Sequence, residues 1–172
     1  MKPHMTSARD CVLPRNELVG RLQIERQGKT LVFTNGCFDL LHAGHARALE
    51  AARRLGDILV VGINADASVR RLKGNTRPII PEIQRAELVA ALKPVDYVVV
   101  FSESTPIETI CLLRPDVHVK SGDYCVEEMP ETPYVRAAGG RVEIVPMVAG
   151  LSSTNIVEQI LAYHGDNLRR AG

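Results

Sequence analysis

The chain has 172 residues, of which 45% are hydrophobic and 24% charged, a balance that fits one globular domain with an apolar core. Its 21 basic and 20 acidic residues leave a formal charge of +1. A protein with so little net charge has no overall positive electrostatic field that would attract nucleic acid or an anionic membrane surface. The four scattered cysteines form no Cys-x-x-Cys pair and no apolar stretch could span a bilayer, so we expect a soluble, cytoplasmic protein with neither a zinc site nor a disulfide framework.

Helical and extended patterns alternate along the chain. A first helix is predicted at about residues 14–27, and the catalytic core at about residues 29–161 of a single domain that spans 1–172. Short runs rich in β-branched residues predict five buried strands, TLVFTNG, DILVVGIN, DYVVVF, DVHVK and RVEIVPM. Helical patterns separate these strands, and Gly56 is predicted to end the second helix. The alternation predicts an α/β fold, a Rossmann-like doubly wound sandwich with a five-stranded, mainly parallel sheet.

Polar clusters follow four of the five predicted strands. They occupy residues 35–45, 64–77, 120–124 and 152–155. In a parallel sheet the carboxyl ends of the strands meet on one side, and α/β proteins bind their ligands there. The sequence therefore predicts one cleft built from these clusters.

His42 and His45 stand three positions apart at the predicted start of the second helix, with Gly44 between them. The free N–H groups and the dipole of a helix start favour an anion, and two imidazole donors would extend that site. Gly44 removes a side chain that would block close approach. A metal site and a plain capped helix start are the alternatives, but no Cys, Asp or Glu stands at ligand spacing. We interpret the pair as phosphate-binding because the other clusters support it.

Two further segments suit phosphates. Ser152, Ser153 and Thr154 precede the last predicted helix, where one hydroxyl would suffice as an N-cap and three suggest an additional phosphate contact. The segment RRLKGNTR contains Lys73 and Arg77, and is either a solvated charge run or a mobile cationic lid with at most a short helix.

A fourth cluster follows the strand DVHVK. Lys120 leads directly into a Gly122-Asp123 turn, and Asp123 could accept hydrogen bonds from a base or a ribose. Simple turn formation is the alternative. Because neither a G-x-G-x-x-G nor a P-loop pattern occurs, dehydrogenase and P-loop functions lose support.

The stretch GCFDLLHAGH resembles the G-x-F-D-x-x-H-x-G-H motif of nucleotidyltransferases of the cytidylyltransferase-like superfamily. LSSTNI is similar to the family's I-S-[ST]-T-x-I motif, with Leu151 in place of isoleucine. Two ordered motifs more than a hundred residues apart are far more specific than one. The segments RLKGNTRPI, VKSGDY and SSTNI most closely resemble the corresponding sequences of bacterial heptose 1-phosphate nucleotidyltransferases.

The resemblance implies a reaction in which a nucleoside triphosphate, by expectation ATP, and D-glycero-β-D-manno-heptose 1-phosphate give an NDP-heptose for lipopolysaccharide and pyrophosphate. It implies Mg²⁺ bound with the nucleotide and no metal site of the protein's own. Its catalytic residues would be His42, His45 and Lys73. The sequence does not decide whether the protein forms a homodimer.

The carried-over binding residues fall into two groups. The nucleotide would contact Thr34, Asn35, Gly36, Phe38, His42, His45, Lys120, Gly122, Asp123, Ser152, Ser153 and Thr154. The acceptor substrate would contact Asp39, Asn64 and Arg77. Relatives often have arginine at the position of Lys120, and since the two residues are not equivalent at a bidentate site, the base preference stays open.

Two other functions remain open on the sequence. One is a related transferase of the same superfamily, such as a glycerol 3-phosphate cytidylyltransferase. The other is a nucleotide-binding regulatory module without catalysis, although pure binding would not require both histidines.

Overall fold

The structure is a computed structural model that describes residues 7–146 and 150–170, with side chains up to His164. Five parallel strands form one sheet in the order β3-β2-β1-β4-β5. The strands are β1 Leu31–Gly36, β2 Ile58–Asn64, β3 Tyr97–Phe101, β4 Val117–Ser121 and β5 Arg141–Val145. The sequence-based prediction of a five-stranded, mainly parallel sheet is confirmed. The predicted fifth strand ran on to Met147, which lies outside the described residues.

Seven α-helices precede, connect or follow the strands in the described ranges. They are α1 Arg15–Glu25, α2 Ala43–Arg53, α3 Asp66–Lys73, α4 Glu82–Ala90, α5 Ile107–Leu113, α6 Thr132–Ala137 and α7 Ser153–Arg170. Two short 3₁₀ turns lie at Ala8–Cys11 and Val126–Glu128. Helix α3 is the short helix that the sequence allowed for in this stretch, and its eight residues form two regular turns before Gly74 ends them at a positive φ of 89°.

The sheet separates two apolar layers, because successive strand residues point to opposite faces. Val32 and Val119 face a cluster that includes residues of α2 and α4. Leu31 and Phe33 face the other cluster, with residues of α1 and α5. All seven residues of β2 are buried, as expected for a parallel strand covered on both faces.

Gly56 has a different role from the predicted helix end. Helix α2 is capped at Arg54, two residues earlier. A Cβ atom on Gly56 would lie 2.6 Å from Val32 Cγ2 and 2.8 Å from the Thr30 carbonyl oxygen. Glycine is therefore required because the chain passes close to the start of β1.

The strand order defines where a ligand can enter. From β1 the chain moves outward through β2 to β3, then returns to β4 on the other side of β1. The loops after β1 and β4 consequently diverge and leave a crevice at the carboxyl end of the sheet. Among the described residues, no helix has both the length and the apolar character needed to cross a membrane.

Candidate active site

A cavity of about 420 Å³ lies in this crevice. Every site residue predicted from the sequence lines it except Arg77, Gly122 and Asp123. The first strand and the loop after it form one wall, and the starts of α2 and α7 form another. Four segments that are far apart in the sequence thus meet at one place, as the position of the polar clusters predicts.

The two histidines stack on each other at the start of α2. His42 is the N-cap residue, and its ring centroid lies 3.9 Å from that of His45. The backbone N–H of His42 donates to His45 Nδ1 at 3.4 Å. A Cβ on Gly44 would lie 2.8 Å from His42 Nδ1, so the histidine ring needs glycine at this position. Phe38 supports the pair from the core side, 5.2 Å from the His45 ring.

Both imidazoles are poised to be neutral hydrogen-bond donors. Burial lowers the pKa of His42. Burial, followed by the nearby charges of His42 and Lys73, lowers the pKa of His45 to about 4. Since Nδ1 of the neutral His45 ring accepts a hydrogen bond, its proton is on Nε2. His45 can therefore donate to a phosphate oxygen without first taking up a proton.

Two polar atoms of the residues that line the cavity are buried without a hydrogen-bond partner in the described part of the chain. They are Asn35 Oδ1 and His42 Nδ1. A buried polar atom that lacks a partner costs about 1–3 kcal/mol. Such atoms in a cavity indicate a place where a ligand or water supplies the missing hydrogen bond.

The three hydroxyl residues before and within α7 have different roles. Ser152 Oγ accepts from the Asn155 N–H at 3.0 Å, so this serine is the helix cap. The Ser153 hydroxyl donates to the Asp39 carbonyl, and its predicted contact with the nucleotide phosphates stays a prediction. Thr154 is exposed and lines the cavity. The backbone N–H groups of this helix start are the better phosphate donors.

The side chains of Asp39 and Arg77 form an ion pair with each other. The Asp39 carboxylate is 1% exposed, lies 2.8 Å from Arg77 Nε, and accepts from the N–H groups of Ile79 and Ile80 at 3.0–3.1 Å. Both residues were predicted to contact the acceptor. In the structure their charged groups hold residues 77–80 against the loop after β1, and a contact with the acceptor stays a prediction.

Two other predicted residues also serve the fold. The Thr34 hydroxyl donates to the Val119 carbonyl at 2.8 Å and so links β1 to β4. The Asn64 amide donates to Ser68 Oγ at 3.1 Å, inside the first turn of α3. Each lines the cavity but has its side-chain donor engaged within the protein.

The turn after β4 lies at a second, adjoining cavity of about 360 Å³. Lys120 lines both cavities and pairs with the buried Glu131 at 3.3 Å. Asp123 lines only the second cavity. Gly122 corrects its assignment, because it is buried, donates its N–H to the Val145 carbonyl at 3.2 Å and adopts a positive φ of 137°.

Sequence reasoning missed Tyr124 and Leu151 as cavity residues. Tyr124 is 55% exposed and lines both cavities. A large aromatic side chain directly after a Gly-Asp turn was the available signal. Leu151 Cβ lies 3.2 Å from the position of a Cβ on Gly44, so it packs beside the histidines.

The residues of the described ranges do not form a self-sufficient Mg²⁺ site. They contain no group of three or more His, Cys, Asp or Glu side chains placed to hold a metal ion. The carboxylate at the cavity, that of Asp39, is engaged by Arg77 and two N–H groups. Mg²⁺ would need phosphate oxygens to complete its shell.

Comparison with known proteins identifies the family. The sequence model described as cytidylyltransferase-like matches residues 33–159, which include both histidines and the start of α7. The chain belongs to the cytidylyltransferase-like family. It is accordingly a nucleotidyltransferase domain, with the histidine motif of that family at the N-cap of α2.

The family members most similar in sequence include two bacterial proteins named bifunctional protein HldE. The one from Syntrophotalea carbinolica is 57% identical over 148 residues, 86% of this chain and 30% of the relative. That from Geobacter sulfurreducens is 53% identical over 150 residues, 87% of this chain and 31% of the relative. The chain thus spans less than a third of the length of these relatives.

Solved structures support the same family and fold. A lipopolysaccharide core biosynthesis protein from Thermoplasma volcanium is 31% identical, with a TM-score of 0.57 over 70% of this chain and 98% of that one. A pantoate-beta-alanine ligase from Francisella tularensis, solved with an ATP analogue and beta-alanine, has a TM-score of 0.56 at 12% identity. It covers 84% of this chain and 74% of its own, and indicates the fold alone.

Proposed function

We propose that the chain transfers a nucleoside monophosphate, from ATP by preference, to D-glycero-β-D-manno-heptose 1-phosphate, forming ADP-heptose for lipopolysaccharide core synthesis. One observation carries the transfer chemistry: the N-termini of α2 and α7 open onto one cavity that also contains the histidine pair and Lys73. Two helix starts facing each other suit two linked polyanions.

The proposed chemistry needs no covalent enzyme intermediate. An oxygen of the acceptor phosphate attacks the α-phosphorus of the triphosphate in line, a new P–O bond forms, and the bond to the bridging α–β oxygen breaks. Pyrophosphate leaves with that oxygen. The enzyme's part is to align the two phosphates and to stabilise the charge that develops between them.

His42, His45 and Lys73 would share that task. The neutral imidazoles donate hydrogen bonds to oxygens around the α-phosphorus, and Lys73 approaches from α3 with a positive charge. The N–H groups at the start of α7 would hold the outgoing phosphates. Donors fixed before the reaction stabilise a transition state without reorganisation, so they affect kcat more than binding.

The acceptor and the base are supported by likeness to relatives. The chain shares 52–58% identity with proteins named HldE and 31% with a protein named for lipopolysaccharide core biosynthesis. The adjoining cavity with Lys120, Asp123 and Tyr124 offers polar groups for a base or sugar hydroxyls. A site built around several hydroxyls discriminates by up to about 10⁴-fold against an analogue that lacks them.

The decisive experiment measures pyrophosphate release for heptose 1-phosphate and glycerol 3-phosphate, each with ATP, CTP and GTP. We expect ATP with heptose 1-phosphate to give the highest kcat/KM. Faster turnover of glycerol 3-phosphate with CTP would replace the heptose assignment by a cytidylyltransferase. Nucleotide binding without any pyrophosphate release would indicate a regulatory module.

Mg²⁺ enters this proposal as the counterion of the nucleotide. It would reach the site on the triphosphate, because no carboxylate group of the cavity is free to hold it beforehand. We expect excess chelator to abolish pyrophosphate release and added Mg²⁺ to restore it. Undiminished turnover in chelator would contradict a metal requirement.

A further inference from the structure

Arg85 lies in α4, outside the cavity, and its side chain is fully buried. Its guanidinium donates to three backbone carbonyls and one carboxylate. Nε donates to Ile80 at 2.8 Å, Nη1 to Cys37, and Nη2 to Asn64 at 2.8 Å and to Asp66 Oδ1 at 2.7 Å. A buried charge is tolerated only when its hydrogen-bonding groups are satisfied in this way.

The acceptors of Arg85 belong to the segments that carry the proposed catalytic groups. Cys37 directly precedes the loop that leads to His42 and His45. Asn64 and Asp66 lie at the end of β2 and the start of α3, the helix that ends at Lys73. The guanidinium therefore bridges the segment of the histidines and the segment of the lysine.

The fourth acceptor, the Ile80 carbonyl, fixes the return of the chain after α3. The Ile80 carbonyl receives Arg85 Nε, while the N–H groups of Ile79 and Ile80 donate to Asp39. Residues 79–80 are thus held on both sides, by a carboxylate of the β1 loop and by the α4 guanidinium. A planar group with donors in several directions can make these contacts together, and an ammonium group cannot.

We propose that Arg85 is a positioning residue that sets the distance between the histidine pair and Lys73 across the cavity. The inference rests on the proposed function for its kinetic test, but its structural content is independent of the acceptor. A shift of about 1 Å between reacting groups can lower a rate about 10²-fold. Arg85 would thus influence catalysis without contacting a substrate.

Arg26 provides a matched control at the opposite end of the sheet. It too donates to two carbonyls and a carboxylate, at 2.9 Å to Leu113, 3.2 Å to Arg114 and 3.2 Å to Asp116. None of these acceptors lines the cavity. If multidentate arginines only stabilise this fold, substitutions of Arg26 and Arg85 should have the same kind of effect.

The test compares Arg85→Lys with Arg26→Lys, both assayed below their melting temperatures. We expect Arg85→Lys to lower kcat about 10²-fold with little change in the KM for nucleotide, since alignment and not binding is lost. Arg26→Lys should lower the melting temperature and leave kcat unchanged. A folded Arg85→Lys variant with wild-type kcat would overturn the proposal.

Two further measurements keep the proposal testable. If Arg85→Lys fails to fold, Asp66→Ala removes one acceptor of the guanidinium, and we expect a smaller fall in kcat at unchanged KM; wild-type kcat would again overturn it. NMR titration of His45 needs no substrate. Burial is the main cause of the lowered pKa of His45, and the neighbouring His42 and Lys73 lower it further, so moving Lys73 away in the Arg85 variant should raise that pKa. An unchanged value would contradict the positioning role even if no acceptor is turned over.

Discussion

The two ends of the sheet differ in how their polar groups are satisfied. At the amino end, three aspartates accept from backbone N–H groups: Asp57 from Thr30 at 2.9 Å, Asp96 from Leu59 at 2.8 Å, and Asp116 from Leu31 at 2.7 Å. At the carboxyl end, Asn35 Oδ1 and His42 Nδ1 are buried without a partner among the described residues.

This difference separates stability from function within one sheet. Groups that only hold the strands together find their partners inside the chain, whereas groups that wait for a ligand do not. Asp39 and Arg85 are two of the paired charged residues at the carboxyl end, and they hold loops in place while the histidines and Lys73 line the cavity. Substitutions at the amino end should therefore lower stability and spare kcat, whereas removal of the histidines or Lys73 at the carboxyl end should lower kcat and spare stability.

The largest effect is expected from removing either histidine. His42→Ala and His45→Ala should each lower kcat about 10²-fold or more, the scale of losing one fixed transition-state donor. Nucleotide affinity and melting temperature should change much less, because neither ring closes a hydrogen bond between strands. Pyrophosphate release and thermal unfolding measure both. Loss of folding in both variants would show that the histidines are structural.

A change at the amino end should give the opposite result. Asp116→Ala removes the acceptor of the Leu31 N–H and the partner of Arg26, which should lower the free energy of unfolding by about 1–3 kcal/mol. The kcat of the folded protein should not change. Urea unfolding and kinetics on the same preparation test this. A fall in kcat without a loss of stability would contradict the division between the two ends.

Lys73→Ala should have a smaller effect, about tenfold on kcat, because one exposed cation is lost from the rim of the cavity. Arg70→Ala is a matched control, since Arg70 has the same charge in the same helix and does not line the cavity. We also expect residues 70–77 to become resistant to protease when both substrates are bound, because anions neutralise this cationic segment. Equal effects of the two substitutions would contradict a specific role of Lys73 at the cavity. Equal protease sensitivity with and without substrates would count against a cationic lid.

The features that the sequence predicted are those encoded locally. The parallel sheet follows from the alternation of β-branched runs and helices, and the site from the polar clusters after the strands. The stacking of His42 and His45 requires only residues within one helical turn. The structure gives Gly44 a reason that the sequence analysis did not, since a Cβ at this position would clash with the His42 ring.

The features that the sequence could not predict depend on contacts between distant segments. The Asp39–Arg77 pair joins residues 38 positions apart, so each looked available to a substrate. Arg85 lies in an amphipathic helix and would pass for a surface charge, yet it is fully buried and contacts two loops. Tertiary structure, which decides whether a charge has a partner, is not visible in the spacing of residues.

The smallest effect at neutral pH, and one that sharpens the comparison, concerns the interior between the two ends. His118 in β4 is fully buried, stacks on Phe33 with ring centroids 5.5 Å apart, and in the described structure makes no hydrogen bond of ordinary geometry through either nitrogen, beyond a weak contact with the Phe33 backbone. Burial, followed by the charge of Lys120, lowers its pKa to about 3. At pH 7, His118→Leu should change stability by less than about 1.5 kcal/mol, since losing the ring contact offsets relief of two unpartnered nitrogens.

In acid the unfolded chain takes up a proton at the ordinary pKa of 6.5, whereas the folded protein takes it up only at about pH 3. The folded state thus keeps its full stability above pH 6.5 and loses about 1.4 kcal/mol per pH unit through this residue as the pH falls towards 3. The variant lacks that loss, so its free energy of unfolding relative to that of the wild type should rise as the pH falls from 6.5 to 4. Urea unfolding of both proteins at several pH values in this range measures the difference. A difference that does not change with pH would refute a neutral buried His118.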